Sequence, residues 1–221
     1  EMPSLFRLLI VVGSVTALRT VGDRMQPAER ADLLLNIEEE ATRLSRFVTN
    51  LLDMTRLESG GVNIRRSNAD IGDLAAAAVG RARAVMERQD IALELPAVPA
   101  VAHVDPALIE QLVFNLLDNA HKYGGEGPIR ARIEDRNGRI VLTVEDHGPG
   151  IPKEDLEKVF EKFYRLRDGD GRSAGTGLGL AICRAIAEAM GGSIRAESPA
   201  AMGKGARFVV ELPGSVQGEK Q

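Results

Sequence analysis

The chain has 221 residues, 44% of them hydrophobic but only 4% aromatic and none Trp, so it can bury a core, and that core must be aliphatic. Its net charge of −4 excludes a nucleic-acid binder that draws its affinity from phosphate neutralisation. Cys183, the single cysteine, cannot build a disulfide framework or a multi-cysteine zinc site, and a reducing cytosol fits.

Residues 1–60 read as a helical hairpin. Leu5, Leu8, Leu9, Val12 and Val15 fall three or four apart, on one helical face. The apolar run Leu8–Val12 is far short of the roughly 20 residues that span a bilayer. A membrane is therefore expected to matter only through segments upstream. Val21–Gly22–Asp23–Arg24 breaks the helix, and Pro27 suits the first turn of the next. Leu34, Ile37, Ala41, Leu44, Val48 and Leu51 then form a heptad-like seam, with Glu38, Glu39, Glu40, Arg43 and Arg46 on the other faces. A helix of about thirty residues spans about 45 Å and cannot bury this seam against one shorter partner. Leu33, Leu35, Phe47 and Leu52 widen the apolar face. Pairing of two hairpins into a dimeric four-helix bundle is the expected solution.

Gly60–Gly61 ends the long helix. Residues 61–100 connect to the next domain through a helix from Ile71 to about Arg88 and a strand Ile91–Leu95. From 101 to 213 the pattern is mixed. Val101–Val104 reads as a strand, and Pro106–Tyr123 as a helix with Leu108, Ile109, Leu112, Leu116 and Ala120 facing inward. Ile129, Ala131 and Ile133, then Ile140, Leu142 and Val144, alternate as strands joined by the turn Arg136–Asn137–Gly138. Two more helices and two more strands are expected to follow, with residues 214–221 as a disordered polar tail. The fold class is α+β: a helical hairpin followed by an α/β sandwich.

Four short motifs carry the chemistry. In Asn115–Leu–Leu–Asp–Asn119–Ala–His–Lys122–Tyr123, the two carboxamides are one helical turn apart and share a face. Their oxygens suit a hard cation such as Mg²⁺, and Lys122 supplies positive charge for phosphate. Two asparagines inside a good helix are locally unfavourable, which speaks against an idle polar face. Asp146–His–Gly148–Pro–Gly150–Ile151 follows a strand; its Asp can accept from an exocyclic amine, and its glycines let backbone approach a flat ring. Taken alone, it could equally be a tight turn. In Phe160–Glu–Lys–Phe163–Tyr–Arg165, the two phenylalanines are expected on one helix face, anchoring a polar, glycine-rich lid over residues 167–174. Gly175–Thr176–Gly177–Leu178–Gly179–Leu180 runs into a helix from Ala181 to Met190, whose free N–H groups suit phosphate. It lacks the Lys–Ser/Thr of a P-loop and follows no strand.

In order and spacing these motifs resemble the N, G1, F and G2 boxes of the histidine-kinase ATPase superfamily, over Val101–Leu212. The resemblance implies ATP and Mg²⁺ as cofactors. Asn119 is then the Mg²⁺ ligand, and Asn115 and Lys122 lie near the phosphates as the catalytic pair. Asp146 takes the adenine amine, with Gly148, Gly150 and Ile151 beside it. Gly175, Gly177 and Gly179 hold the phosphates with Thr176 and Leu178. Tyr123, Phe163 and Arg165 complete the nucleotide pocket. Upstream, Leu52–Asp–Met–Thr–Arg–Leu–Glu–Ser–Gly60, together with Val104–Asp–Pro106 and Gly179–Leu–Ala–Ile–Cys–Arg184, resembles sensor kinases of the potassium-sensing Kdp type. That implies a cytoplasmic protein-histidine kinase core of a two-component system. It would work as a homodimer, with the receiver domain of a response regulator as partner and no nucleic acid.

The sequence departs from this family at one place. Such kinases carry the phospho-accepting histidine in a box of His, acid, Leu, Arg, Thr or Asn, and Pro at the start of the first helix. Counting back from Gly13, the histidine slot holds Met2, the acidic slot Pro3, the Thr/Asn slot Phe6 and the proline slot Arg7. The histidines present are His103, His121 and His147, all in the second domain. Truncation, engineering, degeneration to an ATP-binding pseudokinase or docking module, and action on another chain each account for this. ATPases of the gyrase and chaperone type use a glutamate base one turn before the metal-binding Asn. Here that position is Asn115, which cannot abstract a proton.

Overall fold

The computed structural model describes residues 4–21, 24–58, 64–86, 89–166, 176–200 and 204–215. The chain divides into two compact units, Glu1–Asp53 and Met54–Gln221.

The first unit holds α1 (Ser4–Val21) and most of α2 (Pro27–Glu58). The second helix starts where Pro27 has no N–H to leave unpaired. The Gln26 N–H donates to Glu29 Oε2 at 3.1 Å, and Gln26 O accepts from Arg30 N at 3.1 Å. The face of α2 turned inward differs from the expected seam. Leu33, Ile37 and Leu44 are half-buried and Glu40 is buried, whereas Leu34 and Val48 are 52% and 51% exposed. Glu40 was expected on a solvent face. Leu33, Leu34 and Leu35 are consecutive, so the apolar arc is wide enough to turn 33–37–40–44 inward and leave 34–41–48–51 outside. Val12 and Val15 of α1 are exposed as well.

In the second unit, two helices begin at aspartates that satisfy otherwise orphaned N–H groups. Asp70 Oδ1 caps α3 (Ile71–Val85) by accepting from Gly72 N at 2.8 Å, and it also accepts from Ala100 N at 3.2 Å. Asp105 Oδ1 caps α4 (Pro106–Tyr123) through Ala107 N at 3.1 Å and Leu108 N at 3.4 Å, with Pro106 in the first turn. The strands are β1 (Ser67–Asp70), β2 (Ile91–Glu94), β3 (Val101–Val104), β4 (Ile129–Arg136), β5 (Arg139–Glu145), β6 (Ser193–Glu197) and β7 (Arg207–Pro213). Five of them form a sheet in the order β2–β4–β5–β7–β6, parallel only between β2 and β4. The β4–β5 hairpin turns through Asn137 and Gly138 at φ 56° and 79°, the paired left-handed geometry that Asn–Gly favours. Ile133, Ile140, Leu142, Phe208 and Val210 face inward and are sealed against α3, α4 and α5 (Gly179–Ala189). The other sheet face carries ion pairs such as Arg195–Glu211 at 2.5 Å and Arg132–Glu94 at 2.6 Å.

Three expectations change. β1 was not anticipated. It pairs antiparallel with β3 in a separate two-stranded sheet, so Val101–Val104 is outside the main sheet. After β5, one α-helix forms among the described residues where two were expected; Lys153–Asp155 and Lys158–Phe160 are single 3₁₀ turns. Glu161 is extended at ψ 147° and Phe163 sits at φ 64°, which stops any longer helix. Gly214 and Ser215, expected in a disordered tail, are held by backbone hydrogen bonds. Gly214 N donates to Gly138 O at 2.9 Å and Ser215 N to Val101 O at 2.8 Å; residues 216–221 lie outside the described residues.

Candidate functional site

The site is built around Asp146, which follows the end of β5 and is 5% exposed. Its N–H donates to Ala206 O at 3.0 Å. Its Oδ1 accepts from Gly148 N at 2.9 Å and from Ala206 N at 3.0 Å. Two backbone donors therefore fix one carboxylate oxygen, and no described residue donates to Oδ2. Oδ2 is not sealed from solvent, so it is the carboxylate oxygen open to an incoming donor.

The backbone around Asp146 is packed so closely that side chains do not fit. A Cβ on Gly205, at φ 77°, would run into Asp146 O. One on Gly148 would strike Tyr123 O, and one on Gly124 would come within 2.6 Å of Asp146 Cβ. Gly150, at φ 83°, lies against Ser198, whose Oγ accepts from Ile151 N at 2.9 Å and donates to Gly205 O at 3.1 Å. Ser198, Gly205 and Ala206 come from the β6–β7 connection and were not anticipated as site residues. A glycine just before a strand was the one available signal, and it is too common to be read alone.

On α4, Asn115 and Asn119 are one turn apart, as the motif requires. Asn115 Nδ2 is buried and has no hydrogen-bond partner. Asn119 is half-buried, and its side chain bonds to no described residue. Lys122 is paired with Asp118, so its charge is partly compensated. Tyr123 closes the helix; partial burial pushes its hydroxyl pKa up, against the pull of nearby Arg165 and with a smaller push from Asp118. Arg165 thereby joins the neighbourhood of α4, although it is exposed.

The third and fourth motifs meet through backbone. Phe163 N donates to Gly177 O at 2.9 Å, and a Cβ on Gly177 would lie 2.8 Å from Phe163 Cα. Phe160 is buried, edge-on to Phe208 at 6.2 Å and under the Arg184 guanidinium at 4.3 Å. Phe163 is 49% exposed and shares no helix face with it, so Phe160 alone is the anchor. Thr176 Oγ1 accepts from Leu178 N at 3.3 Å. The Leu178 side chain is fully buried, so it serves the core. α5 starts at Gly179 with no side-chain cap, and space is open beside that glycine. Uncapped N–H groups at a helix start suit an anion. Gly175, the expected lid over 167–174 and Met2 lie outside the described residues.

The family described as "Histidine kinase-, DNA gyrase B-, and HSP90-like ATPase" matches residues 104–216. The chain belongs to this family. It is a histidine-kinase core resembling KdpD: the sensor protein KdpD of Escherichia coli strain K12 is 40% identical over 186 residues, covering 80% of this chain and 20% of that protein. The chain thus spans about a fifth of the length of the curated KdpD relatives it matches. Among solved structures, the Acinetobacter baumannii histidine kinase AdeS superposes with a TM-score of 0.77 at 22% identity, covering 98% of this chain and 99% of that one. Full-length ShkA in complex with AMPPNP superposes with a TM-score of 0.72 at 24% identity, covering 96% and 44%. These two likenesses concern the fold. Among the described residues of this kinase core, no helix is long and apolar enough to cross a membrane.

Proposed function

We propose that this chain is the cytoplasmic catalytic core of a two-component sensor kinase, binding Mg-ATP for phosphoryl transfer to a histidine and on to the receiver domain of a response regulator. The observation that carries the proposal is Asp146. Its buried carboxylate is clamped through Oδ1 and open at Oδ2, which suits the exocyclic amine of adenine and not the carbonyl that guanine carries there. The adjacent glycines, which tolerate no Cβ, suit a ring lying against backbone. The uncapped start of α5, with Gly177 and Gly179, suits phosphate. ATP supplies the transferable phosphoryl group. Asn119 would hold Mg²⁺ through its amide oxygen, with Asn115 and Lys122 toward the phosphates. Among the described residues no cluster of three His, Cys, Asp or Glu could hold a metal, so amide oxygens, phosphate oxygens and water are the available ligands.

The exposed stripe Leu34–Val48–Leu51 supports a homodimer through the hairpin. The second reading, an ATP-binding pseudokinase that docks a response regulator, is favoured by Met2 and Pro3 in the acceptor box. On either reading the nucleotide site is the same, and calorimetry with Mg²⁺ tests it. ADP should bind and GDP should not. Asp146→Ala should weaken ADP by roughly 1–3 kcal/mol, the cost of one buried hydrogen bond. Equal binding of ADP and GDP by the unmodified chain would refute the adenine assignment.

A further inference from the structure

Ser198 lies in the β6–β7 connection, half-buried beside the turn that follows Asp146. Its hydroxyl bonds in two directions. Oγ accepts from Ile151 N at 2.9 Å and donates to Gly205 O at 3.1 Å. Gly205 O and Ala206 N are the two ends of one peptide group, and Ala206 N donates to Asp146 Oδ1 at 3.0 Å. The bonds therefore run head to tail, from Ile151 N–H to the Ser198 hydroxyl, to the Gly205–Ala206 peptide, to the carboxylate. Each donor in such a chain is strengthened by the bond behind it. Gly205 and Ala206 are buried, so this peptide is shielded from water. Gly205 O has one further donor, Ala200 N at 3.2 Å, from the same connection.

We infer that Ser198 is a positioning residue for Asp146, its hydroxyl holding the Gly205–Ala206 peptide in the orientation that aims an N–H at Oδ1 and so leaves Oδ2 as the oxygen offered to a ligand amine. A peptide next to a glycine can turn over, since no Cβ restricts the backbone on that side, and Gly205 stands at φ 77°. Turned over, the same peptide would point its carbonyl oxygen at a carboxylate, acceptor against acceptor. The Ser198 hydroxyl and Ala200 N oppose this by donating to the carbonyl where it now lies. The hydroxyl also reaches across to Ile151, in the segment that carries Gly148. It thereby ties together the two segments that supply the carboxylate's two donors, Gly148 N and Ala206 N. With the Ala206 bond lost, Gly148 N is left to fix the carboxylate, and its plane can rotate about that one bond.

The proposal rests on the adenine reading of the site, so the test has one arm that does not. In nucleotide-free protein, the backbone amide protons of Ala206 and Gly148 are followed by NMR in Ser198→Ala and Ser198→Thr. Alanine removes the hydroxyl and threonine keeps it. The Ala206 proton should move upfield and exchange faster in Ala and stay near its original position in Thr, and Gly148 should move much less in both. In the second arm, calorimetry with Mg²⁺ compares ADP with purine riboside diphosphate, which has the same ring without the amine. Ser198→Ala should weaken ADP roughly fivefold and leave the amine-free ligand unchanged, and Ser198→Thr should bind both as the unmodified chain does. Should threonine fail to fold, Ser198→Cys, a weak donor of similar shape, takes its place and should lie between serine and alanine. An Ala206 signal unmoved in Ala would overturn the inference. So would equal losses for the two ligands, which mark general damage to the turn, or a threonine or cysteine variant no better than alanine. ADP and the amine-free ligand bound equally by the unmodified chain would instead refute the adenine reading, while the NMR arm would still decide the role of Ser198.

Discussion

The α/β unit and the helical hairpin use similar aliphatic residues and treat them differently. In the α/β unit, Ile140, Leu142 and Val144 alternate along β5, and each is sealed beneath α-helices. In the hairpin, Leu34, Leu35, Val48 and Leu52 stand about half exposed while Glu40 is buried. A sheet has one inner face, and a period of two assigns each residue to it. A helix with leucines at 33, 34 and 35 has an apolar arc wider than one partner can cover. The α/β unit closes its core within one chain, and the hairpin leaves a stripe of apolar surface exposed. At roughly 25 cal/mol per Å² of apolar surface, a stripe of four or five such side chains is a strong driver of association.

The largest expected effect breaks that contrast at the hairpin. Val48→Glu places a charge on the outer stripe, where a second copy would bury it. An unpaired buried charge costs about 3–5 kcal/mol, enough to turn a dimer into a monomer by sedimentation at micromolar concentration. The folded α/β unit should keep its ADP affinity. A variant that stays dimeric would move the interface off this stripe.

Next in size is a test within the closed unit. Gly205→Ala drives a Cβ into the Asp146 carbonyl from a left-handed backbone position and should cost more than about 2 kcal/mol in thermal unfolding. Gly125→Ala, at φ 68° with nothing within 4 Å of the added carbon, carries the backbone strain alone, about 1 kcal/mol. Equal costs would mean that the packing around Asp146 is looser than described.

The smallest effect sharpens the picture of the 3₁₀ segment. Tyr164 Oη donates to Asp155 Oδ1 at 2.6 Å, and this bond, with further help from Lys158, holds the Asp155 carboxyl below its usual pKa. A lowered folded-state pKa means that the stabilising contribution is present above the unfolded carboxyl's pKa and lost as pH falls through the folded value. Tyr164→Phe should move the Asp155 carboxyl titration, followed by carbon NMR, back upward. An unchanged titration would make the bond irrelevant to the carboxylate.

Much of the fold was legible because local chemistry and tertiary position agree. Asp105–Pro106 announces the start of α4, Asn137–Gly138 the hairpin turn, and the two asparagines of α4 and Asp146 stand where their motifs place them. What was not legible depends on partners distant in sequence. β1 is polar, Ser–Asn–Ala–Asp, and is a strand only because β3 pairs with it. Ala206 reaches Asp146 because β7 pairs with β5 across sixty residues of chain. Phe160 and Phe163 have helical spacing, but Phe160 ends a 3₁₀ turn, Glu161 is extended and Phe163 has a positive φ, which separates their directions. In the hairpin, the spacing identified an apolar helix without saying which part of its wide arc turns inward.

The proposed nucleotide site around Asp146 stands in a chain whose acceptor box is read as Met2–Pro3, and one labelling experiment addresses that pairing most directly. The unmodified chain is incubated with Mg²⁺ and γ-labelled ATP, and protein-bound label is compared before and after acid treatment, because phosphohistidine is acid-labile. In-line phosphoryl transfer needs a positioned nucleophile, and the acceptor slot holds Met2 with Pro3 where its orienting acid would stand. The account predicts ATP retained by equilibrium dialysis and no acid-labile label on the chain. Acid-labile label mapping to His103, His121 or His147 would contradict it.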